Sequence, residues 1–504
     1  MEKAGLIELS PTSLKFTTIA LIGGGFHKKI ETIKENIRYD EDIYENQTIS
    51  IQKLTETVKH LNMFKGMCEN NNIIKIYCFA SSLFANLKNA KIFFDDLSAN
   101  TGFSFVILSE EEELKFTYNT ILNSVDPNKA LLLYINPHNS LVINFAKRNI
   151  MSSNAFPIGA NFLSYQFRND KRSTAEIVES MTQIVRYELK ALPIEYNPEE
   201  IGFIGAGETF VALSKLVRKI TRYPLDQGNN MVITKETFDK AFKLLIDQGF
   251  DKTKKMSAIT DERLDNLIAG FAIVKAYFEE FNINEIYVSI KEIADAIISA
   301  KIIKETASET NSADVLETSL ETIRYYFNVE DSNSDWIYNL TINLFKQMSI
   351  IHKLTRKHVK ALKIASFLYD CGKRVELENH SKFSKDMIIN QRILGANHKD
   401  IVMAAFACQC QNQENFQLSE WIKYKDIVDE EDLGAVRKIG MLIRLAQSLD
   451  ANKQRKVYEV NCDLLGDIVI IKIRVNGDAS YELQEANRLT PMFKKIFNKT
   501  FQII

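Results

Sequence analysis

Up to about residue 300 the chain alternates apolar runs of strand length with segments of helical period, and beyond Lys301 the strand pattern stops. No other feature restricts the fold as strongly. Strands alternating with helices build a layered α/β domain, whereas uninterrupted helical periods build a separate all-α one. The stretches "IIKIYCFAS", "FSFVILS", "ALLLYINPHNSLVINF" and "IGFIGAGETFVALSKL" carry the first pattern. The stretches "WIYNLTINLFKQMSIIHKL", "RKHVKALKIASFLYDCG" and "LGAVRKIGMLIRLAQSLD" carry the second. Within the first region one plan occurs twice, a strand pair joined by a polar turn and later a strand-loop-helix, which predicts an internal duplication with a cleft between its halves. From Val457, "VYEVNCDLLGDIVIIKIRV" alternates at strand period and leads into the short helix "LTPMFKKIF". The expected division is a first lobe at 1–125, a second lobe at 126–300, a helical domain at 301–456 and a small α+β segment at 457–504.

A chain of 504 residues exceeds one ordinary core, so several domains are expected. Apolar content of 45%, charged content of 25% and a mean hydropathy of -0.15 exclude a membrane span, since no apolar run is long enough. Met1 to Ser10 is too short and mixed for a secretory leader, and a cytoplasmic location is expected. The six cysteines show no CxxC pairs, so reduced thiols are expected, and Cys408-Gln-Cys410 alone supplies too few metal ligands. A net charge of -2 creates no global field for nucleic acid. Gly23-Gly24-Gly25 reads as a hairpin turn between the β-type runs "LIELSPTSLKFTTIALI" and "KKIETIKENIRY", because no GxxxxGK[ST] pattern or helix follows it.

The segment "LSEEEELKF" holds four consecutive glutamates. Ser109 followed three residues later by Glu112 predicts a capping box, and Glu110 and Glu111 favour the positive end of the same helix. Glu113 is left without such a role. It lies with Thr117 at the border of the apolar stripe Leu114, Tyr118, Ile121 and Leu122, partly buried as a general base requires.

In order and spacing these pieces resemble the exopolyphosphatase/guanosine pentaphosphatase (Ppx/GppA) family. "LSEEEELKFTY" looks like the family's S-G-E-E-E-A-R-L-I-Y, "FPIGANFLSYQF" like P-L-G-A-V-R-L-T-E-R-F, and "FIGAGETFVAL" like G-T-G-G-T-x-x-A-L. "ERLDNLIAGFAI", "LKIASFLYDCG" and "LIRLAQSLD" fall where the family has matching helices. The resemblance implies an α/β fold of two actin-like (ribonuclease H-like) lobes whose cleft holds a chain of phosphates, followed by an all-α HD-like domain and the α+β segment. It also implies hydrolysis of the terminal phosphate of polyphosphate or guanosine pentaphosphate, with Mg²⁺ shielding charge and a glutamate, here Glu113, activating water. Guanosine tetraphosphate is a further implied ligand, and a homodimer is the implied assembly.

The family's first phosphate loop, D-x-G-S-N-S, falls on Glu8 to Ser13. Glu8 keeps a carboxylate for the metal and Thr12 and Ser13 keep hydroxyls, while Ser10 replaces the glycine and Pro11 has no N–H to offer. The second loop, D-I-G-G-G-S-T-E, falls on Leu133 to Ser140, where the acid and all three glycines are gone. His138 there is either a substitute cation or metal ligand, or an exposed turn residue. The third loop keeps Gly205, Gly207 and Thr209 at a strand-to-helix junction suited to anions, with Glu208 opposing them. The family's two arginines fall on Ala85 and Ala294. Tyr369-Asp370 stands where an HD protein has His-Asp, so a metal pair is not expected there, and His398 is read as a cap or a solvent-facing residue. The resulting expectation is Glu113 as catalytic base, Glu8 as metal ligand, and Ser10, Thr12, Ser13, Gly205, Gly207 and Thr209 as phosphate ligands, with activity impaired by the degenerate loops. The alternative is a non-catalytic sensor of a phosphorylated ligand such as a nucleotide alarmone, or an interaction scaffold. Lys28, Lys29, Lys34, Arg38 and Lys115 line a polyanion groove or form a solvated face.

Overall fold

The computed structural model describes residues 2–22, 26–125, 127–194, 196, 201–247, 264–303, 314–329, 333–410 and 418–504. It divides into two compact units, one of residues 1–223 with 228–313 and one of residues 224–227 with 314–504.

The first unit contains two sheets. One is formed by β1 (Glu2–Leu9), β2 (Ser13–Ile22), β3 (Phe26–Asn36), β4 (Lys75–Ala80) and β5 (Val106–Ile107), in the order β3-β2-β1-β4-β5. The other is formed by β6 (Lys129–Ile135), β7 (Ser140–Ala146), β8 (Asn149–Phe156), β9 (Gly202–Ala206), β10 (Val232–Thr234) and β11 (Glu285–Ser289), in the order β10-β11-β9-β6-β7-β8. In each, an antiparallel meander of three strands is extended from its first strand by parallel neighbours, β4 on β1 and β9 on β6. The same topology therefore occurs twice, which is the two-lobed, actin-like plan expected from the sequence. The run "LIELSPTSLKFTTIALI" is two strands, because Ser10 N–H to Ser13 O (2.9 Å) and Ser13 N–H to Ser10 O (3.3 Å) close a tight turn and Pro11 cannot continue a ladder. The Gly23–Gly25 turn lies outside the described residues, while the strands flanking it pair antiparallel.

Helices α1 (Tyr39–Asn46), α2 (Ile51–Asn70) and α3 (Ala90–Thr101) cover the first sheet. Their core joins Ile7, Leu9 and Phe16 to Leu61, Phe64, Phe93 and Leu97. Helix α4 (Glu110–Leu122) follows β5 but buries Tyr118, Ile121 and Leu122 against Ala130, Leu132, Phe145 and Ile204 of the second sheet. It therefore carries its glutamate-rich start from one lobe to the other. Helices α5 (Ala160–Gln166), α6 (Thr174–Ala191), α7 (Glu208–Thr221) and α8 (Lys235–Asp247), with the helix Leu264–Glu280, build the largest apolar cluster with the second sheet.

The second unit is helical, and the helix His398–Cys410 is buried along almost its whole length among neighbours that include Val359–Leu368 and Asp432–Ser448. His398 itself is buried at the start of that helix, so of the two readings, cap or solvent-facing residue, the solvent-facing one does not hold. Strands β12 (Val457–Leu465), β13 (Ile468–Val475) and β14 (Thr500–Ile503) form a small sheet in that order. All six cysteines are free. Among the described residues no helix is long and apolar enough to cross a membrane.

Candidate functional site

A cleft of about 390 Å³ in the first unit is lined by the β1–β2 turn, the β6–β7 turn, the β9–α7 junction, the start of α4 and the segment Lys291–Ile293. Each of the three turns is one that the sequence aligns with a phosphate loop.

In the β1–β2 turn Glu8, Ser10 and Thr12 line the cleft. Ser13 is buried, with its Oγ 2.9 Å from the Ser10 Oγ. The N–H groups of Ser10 and Ser13 are spent on each other's carbonyls, and the Pro11 carbonyl accepts the Asp40 N–H at 2.9 Å. The Ser10 hydroxyl donates to the Ser13 carbonyl at 3.0 Å, so a phosphate ligand meets the Thr12 hydroxyl here and neither of those two amides.

The β6–β7 turn is closed by Asn136 N–H to Asn139 O, and by the Asn136 Nδ2 donating to the Asn139 Oδ1, both at 2.9 Å. Pro137 lends its carbonyl to the N–H groups of Asn161 (2.8 Å) and Phe162 (3.0 Å), satisfying the first turn of α5. His138 lines the cleft, and its Nδ1 is buried without a hydrogen-bond partner. Burial lowers the imidazole to about 4, so the ring is neutral near pH 7. His138 is thus neither an exposed turn residue nor a substitute cation.

At the β9–α7 junction Gly207 lines the cleft at φ 101°, and a Cβ there would lie 2.3 Å from the Ile135 carbonyl oxygen. Gly205 and Thr209, expected as phosphate ligands, do not line the cleft. A Cβ on Gly205 would meet the Phe210 ring at 2.1 Å, and Thr209 is only 6% exposed, packed where Gly270 of the helix Leu264–Glu280 leaves room. Their identities are set by packing. Glu208 does reach the cleft, in the first turn of α7, and its carboxylate accepts from the Lys34 Nζ at 2.7 Å. The helix start that would attract phosphate already holds an anion.

The capping box at the start of α4 is present, with Glu112 N–H to Ser109 Oγ at 3.2 Å and Ser109 N–H to Glu112 Oε2 at 3.0 Å. Glu113 is half-buried in the cleft wall, and both of its oxygens are engaged. Oε1 accepts the Ser82 N–H at 3.0 Å and Oε2 accepts the Ser82 Oγ–H at 2.7 Å. Ser82 opens the 3-10 turn Ser82–Asn86, so the carboxylate also caps that turn, while Ala85 is exposed and does not line the cleft.

Sequence reasoning missed the cleft's cations. Lys15 stands directly opposite Glu8 in the β1–β2 register, 8% exposed, with its Nζ 2.8 Å from the Glu292 Oε2 and 3.9 Å from the Glu8 Oε2. Burial opposes the ammonium, but Glu8, Glu292 and Glu208 together outweigh it and hold Lys15 well above the usual lysine range. Burial also raises the Glu8 carboxyl, against the pull of Lys15. The available signal was a lysine inside the apolar strand "SLKFTTIALI", since a charge there needs a partner. Glu292 left no comparable mark. Of the groove candidates, Lys34 is spent on Glu208, and Lys29 lies 2.8 Å from Asp295. Overall the cleft lining carries Glu8, Glu110, Glu111, Glu113, Glu208 and Glu292 against Lys15 and Lys291.

Mg²⁺ binds oxygen ligands at about 2.0–2.1 Å in octahedral geometry. Glu8, the implied ligand, has the Lys15 ammonium 3.9 Å from its Oε2, where a bound cation would stand against a like charge. The residues present do not fit Mg²⁺. In the second unit Asp370 is buried, with Lys373 at 3.5 Å, and no metal group forms there among the described residues either.

The model of the Ppx/GppA phosphatase family matches residues 18–298, a span that starts after the β1–β2 turn, and the model of Ppx/GppA phosphatase domain III matches residues 315–491. The chain resembles the crystal structure of the Aquifex aeolicus Ppx/GppA family member (17% identity, TM-score 0.52), with 61% of this chain and 99% of that one covered. It resembles an exopolyphosphatase from Cytophaga hutchinsonii similarly (13% identity, TM-score 0.53, covering 61% and 100%). No protein of curated function matches the sequence. With family models matched across both units, the chain belongs to the Ppx/GppA phosphatase family.

Proposed function

We propose that the cleft binds a phosphorylated ligand of the polyphosphate or guanosine penta- and tetraphosphate class, and that hydrolysis of its terminal phosphate is impaired. The observation that carries this reading is that three aligned turns and Glu113 converge on one cleft while its anion-binding groups are diminished. The Lys15 and Lys291 ammonium groups and the Thr12 hydroxyl are the groups that hold phosphate oxygens, since the Ser10 hydroxyl donates to the Ser13 carbonyl. Glu113, oriented by two bonds from Ser82, retains lone pairs to take a proton from water. Impairment follows from Pro11, from the substituted β6–β7 turn and from Glu208 at the start of α7.

Phosphate release from long-chain polyphosphate and from guanosine pentaphosphate tests the reading. Slow release that Glu113→Gln abolishes supports it. Binding without any turnover makes the protein a sensor of such ligands, and absence of binding leaves an interaction scaffold. Homodimer formation is proposed on family grounds and is read by analytical ultracentrifugation. Six free cysteines suit a reducing compartment such as the cytoplasm.

A further inference from the structure

We propose that Lys15 takes the place of a divalent metal in this cleft. Its ammonium is the built-in cation that a phosphate ligand meets, and the carboxylates of Glu8 and Glu292 become a metal site only when Lys15 is removed.

The strand register puts Lys15 directly opposite Glu8, so the two side chains project from the same face of the sheet and cannot avoid each other. Lys34 is next in the same cross-strand row, opposite Lys15 on β3. Glu292, in the segment after β11, places its Oε2 2.8 Å from the Lys15 Nζ. The ammonium thus lies between two carboxylates in a wall of the cleft. A divalent ion needs those same oxygens at little more than 2 Å, and Lys15 would then stand against it as a like charge. Two further acids of the region are matched as well, Glu208 with Lys34 and Asp295 with Lys29 and Lys291. One fixed positive charge does locally what a bound ion would do, without a coordination shell to complete. An ammonium also donates to phosphate oxygens as a point charge.

The statement about metal stands on this geometry alone, and the statement about phosphate rests on the proposed function. The test has two arms, both on the full chain. In the first, Mn²⁺ binding is followed by electron paramagnetic resonance. The wild-type protein and Glu8→Gln are expected to bind Mn²⁺ identically, and Lys15→Ser is expected to gain one ion per chain at least tenfold more tightly. Adding Glu8→Gln to Lys15→Ser should remove that ion. A wild-type ion that Glu8→Gln abolishes overturns the proposal, and that comparison holds even if Lys15→Ser fails to fold. A folded Lys15→Ser protein that gains no ion overturns it too. In the second arm, tripolyphosphate is titrated calorimetrically in EDTA and in Mg²⁺. Equal affinity within about threefold in the two buffers, lost tenfold or more in folded Lys15→Met, supports the ligand half. A requirement for Mg²⁺ overturns it. Absence of binding in both buffers overturns the ligand half together with the proposed function, and the manganese arm still decides the metal half.

Discussion

At Glu113 one carboxylate serves two ends, capping the turn at Ser82 and facing the cleft. Ser82→Ala removes the 2.7 Å bond and keeps the amide, so it should cost about 1.5–3 kcal/mol of stability in urea unfolding and release the carboxylate from its fixed position. His138 yields a prediction about pH. Its folded value of about 4 lies below the ordinary 6.5, so between these values the unfolded chain binds a proton that the native ring refuses. Stability therefore falls as pH drops from about 6.5 towards 4, by about 2 kcal/mol at pH 5 from this residue. His27, lowered to about 4 first by burial and then by Lys291, pulls in the same direction. Comparing urea unfolding of the wild type and His138→Asn at pH 7 and pH 5 checks this, since the substitution should remove only its own share of the loss.

At the scale of elements, the β9–α7 junction combines a strained turn with a misplaced charge. Gly207→Ala puts a Cβ into a left-handed backbone and onto the Ile135 carbonyl, and should cost roughly 2–4 kcal/mol, seen as a lowered melting temperature or lost soluble expression. Glu208→Gln removes the anion from the start of α7 and its ion pair with Lys34. Tripolyphosphate affinity should rise by about 1–2 kcal/mol, roughly tenfold, in calorimetry. Much at this scale was legible in the sequence. The capping box at Ser109 and Glu112 and the strand-turn-strand at Leu133–Ser140 depend only on residues a few positions apart. The roles of Gly205 and Thr209 were not legible. A glycine that admits an aromatic ring and a glycine that admits a phosphate leave the same letter, and the threonine's partner, Gly270, lies on a distant helix.

For the molecule as a whole, every residue that lines the cleft belongs to the first unit. A fragment ending at Ala313 should therefore keep the tripolyphosphate affinity of the full chain within about threefold, provided that circular dichroism shows it folded. A larger loss would show that residues 314–504 contribute to the site. The matches of separate family models to 18–298 and 315–491 fall on either side of the same boundary.

The sequence by itself determined the duplicated α/β plan, the change to helices and the position of Glu113 at a helix start, because period and capping are local properties that neighbouring residues express. The tertiary structure alone decided the charge of the cleft. Lys15 and Glu292 are 277 positions apart, and no local pattern says that one will meet the other. The same holds for the burial of His138 and for Lys34 against Glu208. Electrostatic environment is set by what the chain brings together across a fold, and it is that environment, more than the surviving motif, that governs what this cleft can hold.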